Sequence, residues 1–476
     1  MDLPAKKHLL KLSRFPVPIL FALFMGLFVF SGFVPVTTKI IDRPEGIYIY
    51  GEKTRQAETD GRLEKRVRAI LEKYHPQASY GVLTIAYPYN KSIFPPEIIA
   101  PSFKWFEKES NIRNWLVTVS FDGRYKPLYI FCDKPYWTPG KEIWELMKKH
   151  SVQGPAQIVI LGLNRHSQFE IFSKGVVSIS TSRDRVGAPI MFRRVPPSFA
   201  YASKHPELIE WVLGDISSDD EPPVIMSKQP FCSSCHTFSQ DGSVIGMDMD
   251  YNNDKGAYFL AAVREDIRLT DKDFVSWNDL PRTDGRQNTG LFSRISPDGK
   301  HIASTINEIL FLVKIPDPYF SQLFFPLQGS LAYYSNRDGK ITALSGADLP
   351  EFVQTDPSWS PDGRDILFSR AARGKKLLES LAGQTVFSVE HNDIDRLNKQ
   401  YPIQFNVYRI PFNSGTGGKA EPLAGASHNG KSNYFPRYSP DGKWIVFTQS
   451  ETGIAIQPDS RLFIVPTAGG DAKMMR

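Results

Sequence analysis

The stretch "PRYSPDGKWIVF", residues 436–447, has three relatives in the same chain: "HTFSQDGSVIGM" (236–247), "SRISPDGKHIAS" (293–304) and "PSWSPDGRDILF" (357–368). In each, a strand-like run ends in a turn of the form Ser-Pro-Asp-Gly (Ser-Gln-Asp-Gly in the first), and an alternating apolar run follows. Proline fixes φ at the turn's first corner and glycine supplies the positive φ at its end. Aligned on the Asp-Gly pairs at 241, 298, 362 and 441, the repeats lie 57, 64 and 79 residues apart. A constant motif with a varying period predicts one supersecondary unit carrying loop insertions. Further strand-like runs follow each motif: "GAYFLAAV", "LAYYSNRDGKITAL", "FNVYRIPF" and "RLFIVPTAGGDAKMM". Four strands per repeat is the make-up of a propeller blade. Residues 201–476 therefore read as mainly β, a propeller with at least four blades visible.

Upstream, residues 80–200 hold short β-branched or aromatic runs such as "NWLVTVSF", "YKPLYIFC", "PAQIVILGL" and "GVVSIST", parted by turns and by one short helical run, "EIWELMKKH". This pattern predicts a β-sandwich of immunoglobulin or fibronectin type. Trp105, Trp115, Trp137 and Trp144 are expected to be packed aromatics rather than an exposed sugar platform. Residues 39–79 read as a linker with an amphipathic helix over 60–75, where Leu63, Val67, Ile70 and Leu71 recur at helical spacing behind Asp60.

Lys6, Lys7, Lys11 and Arg14 precede an uncharged run over 15–38, centred on "ILFALFMGLFVFSGFV". The basic flank, 1–14, is expected in the cytoplasm, and the run is long enough to cross a bilayer. A cleaved signal segment is the alternative, but the run lacks an Ala-x-Ala site, so an uncleaved transmembrane anchor is the preferred reading. Either way the rest of the chain is expected outside the cytoplasm, in a bacterial periplasm.

The charge is +6 over 476 residues, with Lys and Arg dispersed, so no nucleic-acid footprint is present. Three cysteines are too few for a disulfide framework, and Cys132, in "LYIFCDKPYW", reads as a small buried hydrophobe. The other two stand in "FCSSCHTFSQDGS" (231–243). Cys232, Cys235 and His236 form the Cys-x-x-Cys-His pattern, in which two thiols attach haem through thioethers and the histidine coordinates the iron. A structural zinc site needs a second ligand pair, which is missing, and a thioredoxin-like pair needs a βαβ context. For the sixth iron ligand Met247 is the nearest candidate. It aligns with Phe368 and Phe447, however, and so also reads as core. His205, His301 and His428 are further candidates, and an open sixth position is another.

In "DMDYNNDKG", Asp248, Asp250, Asn252 and Asp254 alternate ahead of Gly256. Such oxygen ligands can wrap Ca²⁺, but the glycine and glutamate of a calcium loop are absent and a hairpin is the simpler expectation. No phosphate loop, His-Glu-x-x-His or Gly-x-Ser-x-Gly motif occurs, so no motif besides the haem pattern supports an enzyme.

The repeats resemble those of TolB-type β-propellers. More specifically, stretches such as "FPPEIIAPSFKW", "FCSSCHTFSQDG", "GMDMDYNNDKGAY" and "SNYFPRYSPDGKWIVF" resemble a family of periplasmic TolB-like proteins with one c-type haem motif. The resemblance implies one covalent haem c near a mouth of the propeller channel. It also implies an envelope or redox partner, but no defined activity. Family members continue past the equivalent of Met475, so the resemblance implies either a shortened copy or an unusual ring closure. Three functions follow as expectations: electron transfer or haem-linked partner binding, a protein-binding scaffold with a structural haem, and a haem enzyme acting on a small molecule.

Overall fold

The chain is mainly β. A computed structural model describes residues 38–43, 46–51, 62–107, 112–123, 125–164, 170–229, 233–264, 267–314, 322–381, 384–453, 457 and 459–475. The apolar run over 15–38 lies outside these residues except for Thr38. Among the described residues no helix is long and apolar enough to cross a membrane. Among them, one unit extends to residue 190 and takes in 213–222, and a second comprises 191–212 and the chain from 223 onward.

In the first unit, the strands Thr38–Arg43, Gly46–Gly51, Leu128–Cys132, Ile112–Ser120, Ala156–Asn164 and Ile171–Thr181 lie in that order in one sheet. Gly46–Gly51 pairs in parallel with Leu128–Cys132, and Ile171–Thr181 pairs in parallel with Gly81–Val82 and Ser92–Phe94. The expected immunoglobulin-type arrangement over 80–200 is corrected in its pairing: the larger sheet is mixed and takes in 38–43 and 46–51, while a small antiparallel sheet, Thr84–Tyr87, Phe103–Phe106 and Tyr136–Trp137, and helices cover its faces. Alternation explains the two cores. Ile158 and Ile160 face Ile143, Trp144 and Met147 of the helix Lys141–His150, whereas Leu161 and Leu163 face Val67 and Ile70 of the helix Arg62–Lys73. The four tryptophans are buried, between 1% and 8% exposed, and belong to the first of these cores. Cys132 is buried too, and burial pushes its thiol far above the ordinary range.

The second unit starts with residues 191–194, 210–212 and 224–226, which lie in the strands Ile190–Arg194, Glu210–Gly214 and Val224–Met226 of one three-stranded sheet. Four successive antiparallel sets of four strands follow, one per repeat. The first is Ser233–Phe238, Val244–Met249, Ala257–Ala262 and Phe274–Ser276. The last is Ser432–Tyr438, Trp444–Ser450, Arg461–Pro466 and Lys473–Met474. The second and third sets are joined by a parallel bridge, Gly329 to Val353, into one larger sheet. The first strands of consecutive repeats lie next to one another.

The turn motif closes identically four times. Ser239, Ser296, Ser360 and Ser439 each donate Oγ to the Asp two residues on at 2.6 Å. The same hydroxyls accept the backbone N–H of Val244, His301, Asp365 and Trp444 at 2.9–3.0 Å. Gly242, Gly299, Gly363 and Gly442 hold φ of +70 to +71°, a conformation glycine adopts without Cβ strain. The varying period arises from one inserted lobe. The hairpin of His301–Lys314 and Gln322–Ser335 outgrows its neighbours, Val386–Glu390 pairs along it, and Phe311, Phe325, Leu377, Leu397 and Phe405 pack beneath.

Candidate functional site

Each repeat's first strand carries a bulge at the same place, before Arg294, Ser358 and Arg437 and, in the first repeat, between Ser233 and His236. Six residues ahead of the glycine-preceding Asp stand Phe292, Asp356 and Phe435, all with positive φ of 55–63°. Cys235 holds that position in the first repeat. The second cysteine of the motif thus sits where these strands break their ladder and re-aim a side chain. Cys235 is exposed and lies within electrostatic reach of Tyr258 and Arg437. Cys232 lies outside the described residues.

His236 is half-buried. Its ring meets Trp211 edge-on at 4.7 Å and Phe238 at 5.9 Å. Burial holds its pKa below the ordinary value; a hydrogen bond to the Met191 carbonyl works against this, and the charges of Arg294 and Arg193 reinforce it. The imidazole is therefore neutral at pH 7. A neutral imidazole is the form that can offer a ring nitrogen to a metal. At the two described positions of the motif, an exposed Cys235 thiol and a neutral, half-buried His236 are donors that fit covalent haem.

Met247 lies directly opposite His236 on the neighbouring strand, so both side chains leave the same sheet face. It is 0% exposed, packed with Trp211, Ile245, Met249 and Phe259. Its counterparts Phe368 and Phe447 are also 0% exposed. A methionine with no exposed surface, packed on all sides in this core, has no free sulfur to offer a ligand. The burial matches the packing alternative for Met247.

The other sequence candidates have local partners. His205 contacts Glu207 at 3.1 Å, His428 accepts or donates with Tyr408 at 3.3 Å, and His301 packs on Phe412. In the calcium candidate, Lys255 binds Asp250, and Asp254 accepts from Gly256 N and Asn278 Nδ2 at 2.8 and 2.7 Å. Asn252 and Asn253 both have positive φ and close the hairpin. Asp248 is pushed up to about 8 by burial, against a hydrogen bond from Ser293 and the charge of Arg294. Among the described residues no group of three His, Cys, Asp or Glu side chains is placed to hold a metal ion.

Sequence reasoning missed the pair of the buried Asp356 and the partly exposed Arg437, at 2.7 Å, and the placing of Arg294 beside the motif. Aligning the repeats six and four residues ahead of the turn aspartates would have picked out all three positions.

No protein-family model matches the chain, and no curated protein matches it. Solved structures similar to it include an oligogalacturonate lyase from Vibrio parahaemolyticus, 11% identical over 60% of this chain with a TM-score of 0.33. The β-propeller domain of the Trilobed protease from Pyrococcus furiosus, which has an open velcro topology, is 11% identical over 83% of this chain and 96% of its own, with a TM-score of 0.26. A prolyl endopeptidase is 11% identical over 61% of this chain and 42% of its own, with a TM-score of 0.30. The chain spans 59% of the lyase's length.

Proposed function

We propose that this chain is an extracytoplasmic c-type haem protein built on a TolB-like β-propeller, exchanging electrons with an envelope partner or binding that partner through the haem-bearing face. The observation that carries the reading is the Cys-x-x-Cys-His motif, whose half-buried histidine is kept neutral by burial. In this reading Cys232 and Cys235 form the thioethers and His236 supplies the coordinating nitrogen. Trp211 and Phe238 fix the plane of the imidazole, and the bulge at Cys235 presents the thiol outward. Bound haem would supply a one-electron iron couple. The four antiparallel repeats, with their first strands side by side, support the propeller platform. The uncharged run over 15–38 is the proposed inner-membrane anchor.

The test is expression in a host with haem-attachment machinery. Denatured protein should retain its colour, give a c-type pyridine haemochrome and carry a haem-sized mass increment. Loss of all colour on denaturation rejects the reading. Met247's burial favours an alternative with an open sixth position, a haem enzyme acting on a small molecule. High-spin haem that binds CO supports the enzyme, and low-spin haem reduced reversibly by a small carrier supports electron transfer. If the haem answers to neither, while an envelope partner binds regardless of redox state, it is structural and the chain is a scaffold. For topology, a reporter fused after residue 60 should be active only outside the cytoplasm.

A further inference from the structure

The third repeat carries a long connection. Between second and third strands the chain runs from Met249 to Ala257 in the first repeat, but from Ala372 to Asn406 in the third. Residues from 373 to 381 of that insertion, the hairpin residues Ile309 and Gln328, and the loop residues Asp284 and Arg286 line a cleft of about 470 Å³. Ile309 and Gln328 stand directly opposite each other, so both side chains leave the same face of the hairpin. The floor is apolar: Pro350 is exposed and Leu378 half-buried, beside the buried Ile309 and Leu381.

Positive charge is in surplus. Arg286, Arg373 and Lys375 line the cleft, against the two carboxylates of Asp284 and Glu379. Asp284 is already taken by Arg282, a side chain 1% exposed, whose Nε and Nη2 grip its two oxygens at 2.9 and 2.7 Å. Arg286 donates Nη1 to the Gln384 carbonyl at 3.3 Å and stands 3.9 Å from Asp284. Arg373 donates Nη1 to the Pro350 carbonyl at 3.3 Å, and neither it nor Lys375 has an ion pair among the described residues. Both guanidinium groups are thus anchored at the cleft, on or beside residues that line it. A guanidinium has five N–H donors, so each arginine keeps donors to spare. Such donors match the two oxygens of a carboxylate, and adjacent apolar carbon gains by covering an apolar body attached to it.

We propose that this cleft binds a carboxylate carried on an apolar group, with the carboxylate received by Arg286 and Arg373 and the apolar group by Leu378 and Pro350. The site is independent of the haem reading. The carboxylate can belong to a free acid or to the C-terminus of a protein. Calorimetry on the full-length chain separates the two, with hexanoate, hexanamide, inorganic phosphate, and acetyl-Gly-Leu bearing a free or an amidated C-terminus.

Hexanoate should bind and hexanamide should not. Arg286→Gln and Arg373→Gln should each weaken binding about tenfold, and Leu378→Ala about threefold. An unchanged melting curve verifies the fold. Lys375 and Glu379 are exposed, so their variants keep the test open should an arginine variant fail to fold. Lys375→Gln should weaken binding about threefold and Glu379→Gln should tighten it about twofold. Peptide binding that is tighter than that of hexanoate and is lost on amidation assigns the cleft to a protein C-terminus, and hexanoate binding without peptide binding assigns it to free acids. The proposal is overturned if neither carboxylate binds in the millimolar range, if hexanamide or phosphate binds as tightly as hexanoate, or if the charge variants leave binding unchanged.

Discussion

Arg437 reaches from the fourth repeat into the third and grips Asp356 with both terminal nitrogens, Nη1 at 3.0 Å from Oδ2 and Nη2 at 2.7 Å from Oδ1. Asp356 is 0% exposed and sits at the left-handed bulge, φ 56°. The pair therefore ties two neighbouring first strands where both ladders are interrupted. Arg437→Met leaves a buried carboxylate without its cation and should cost about 3 kcal/mol in denaturant unfolding. Adding Asp356→Asn should recover part of that loss, because the uncompensated charge is then gone. A single Arg437→Met variant within about 0.5 kcal/mol of the parent would show that the pair does not hold the strands.

The four turn glycines should not respond alike to substitution. All hold φ near +70°, so alanine should cost about 1 kcal/mol at each from backbone strain alone. A Cβ at Gly242 meets nothing within 4 Å, and at Gly363 and Gly442 only ordinary contacts at 3.7–3.8 Å. At Gly299 it would approach Val244 Cγ2 at 2.9 Å. Gly299→Ala should therefore be the most destabilising of the four in thermal unfolding. Equal losses at all four positions would mean that Val244 yields freely.

The repeat was legible because its turn is closed by its own residues. Ser, Asp and Gly within a few positions satisfy one another, and that chemistry leaves a sequence trace. The bulge at Phe292, Asp356 and Phe435 left none, since a bulge is a property of pairing with another strand. For the same reason the mixed sheet of the first unit was hidden. The parallel pairing of Ile47 with Leu128 joins residues far apart in sequence, and short apolar runs do not specify their partners. In the candidate site, Cys235 and His236 were legible by motif. Trp211, which packs edge-on against the imidazole, comes from an upstream segment that no spacing rule connects to it.

Acid should weaken the repeats through their turn aspartates. Asp241 is pushed down to about 2, first by the Ser239 hydroxyl and then by the Ser243 N–H and hydroxyl. Asp362 and Asp441 are lowered by Ser360 and Ser439 in the same way. A carboxyl with a depressed folded pKa contributes stability above its unfolded value of about 3.9, and that stability is lost as pH falls through the folded value. The melting temperature should therefore drop between about pH 4 and pH 2. Changing Asp241, Asp362 and Asp441 to Asn keeps an acceptor for the turn and should flatten that limb. An unchanged acid limb in the triple variant would assign the acid sensitivity to other carboxylates.

Met247 separates packing from ligation. It lies opposite His236 with no exposed surface, in a core formed by Trp211, Ile245, Met249 and Phe259. Met247→Leu conserves volume and apolarity and should cost less than about 1.5 kcal/mol of stability. If Met247 only packs, haem-loaded protein with this change keeps its parent spectrum, including any absorption characteristic of methionine ligation. If the parent shows such absorption and Met247→Leu abolishes it, the strand Val244–Met249 must move when haem attaches, since in the present arrangement the sulfur is walled in beside the His236 ring. His236→Ala gives the reference. It removes the nitrogen proposed to coordinate iron, while Trp211, Ile245, Met249 and Phe259 still surround Met247, so a spectral change there with none in Met247→Leu assigns ligation to the histidine and packing to the methionine.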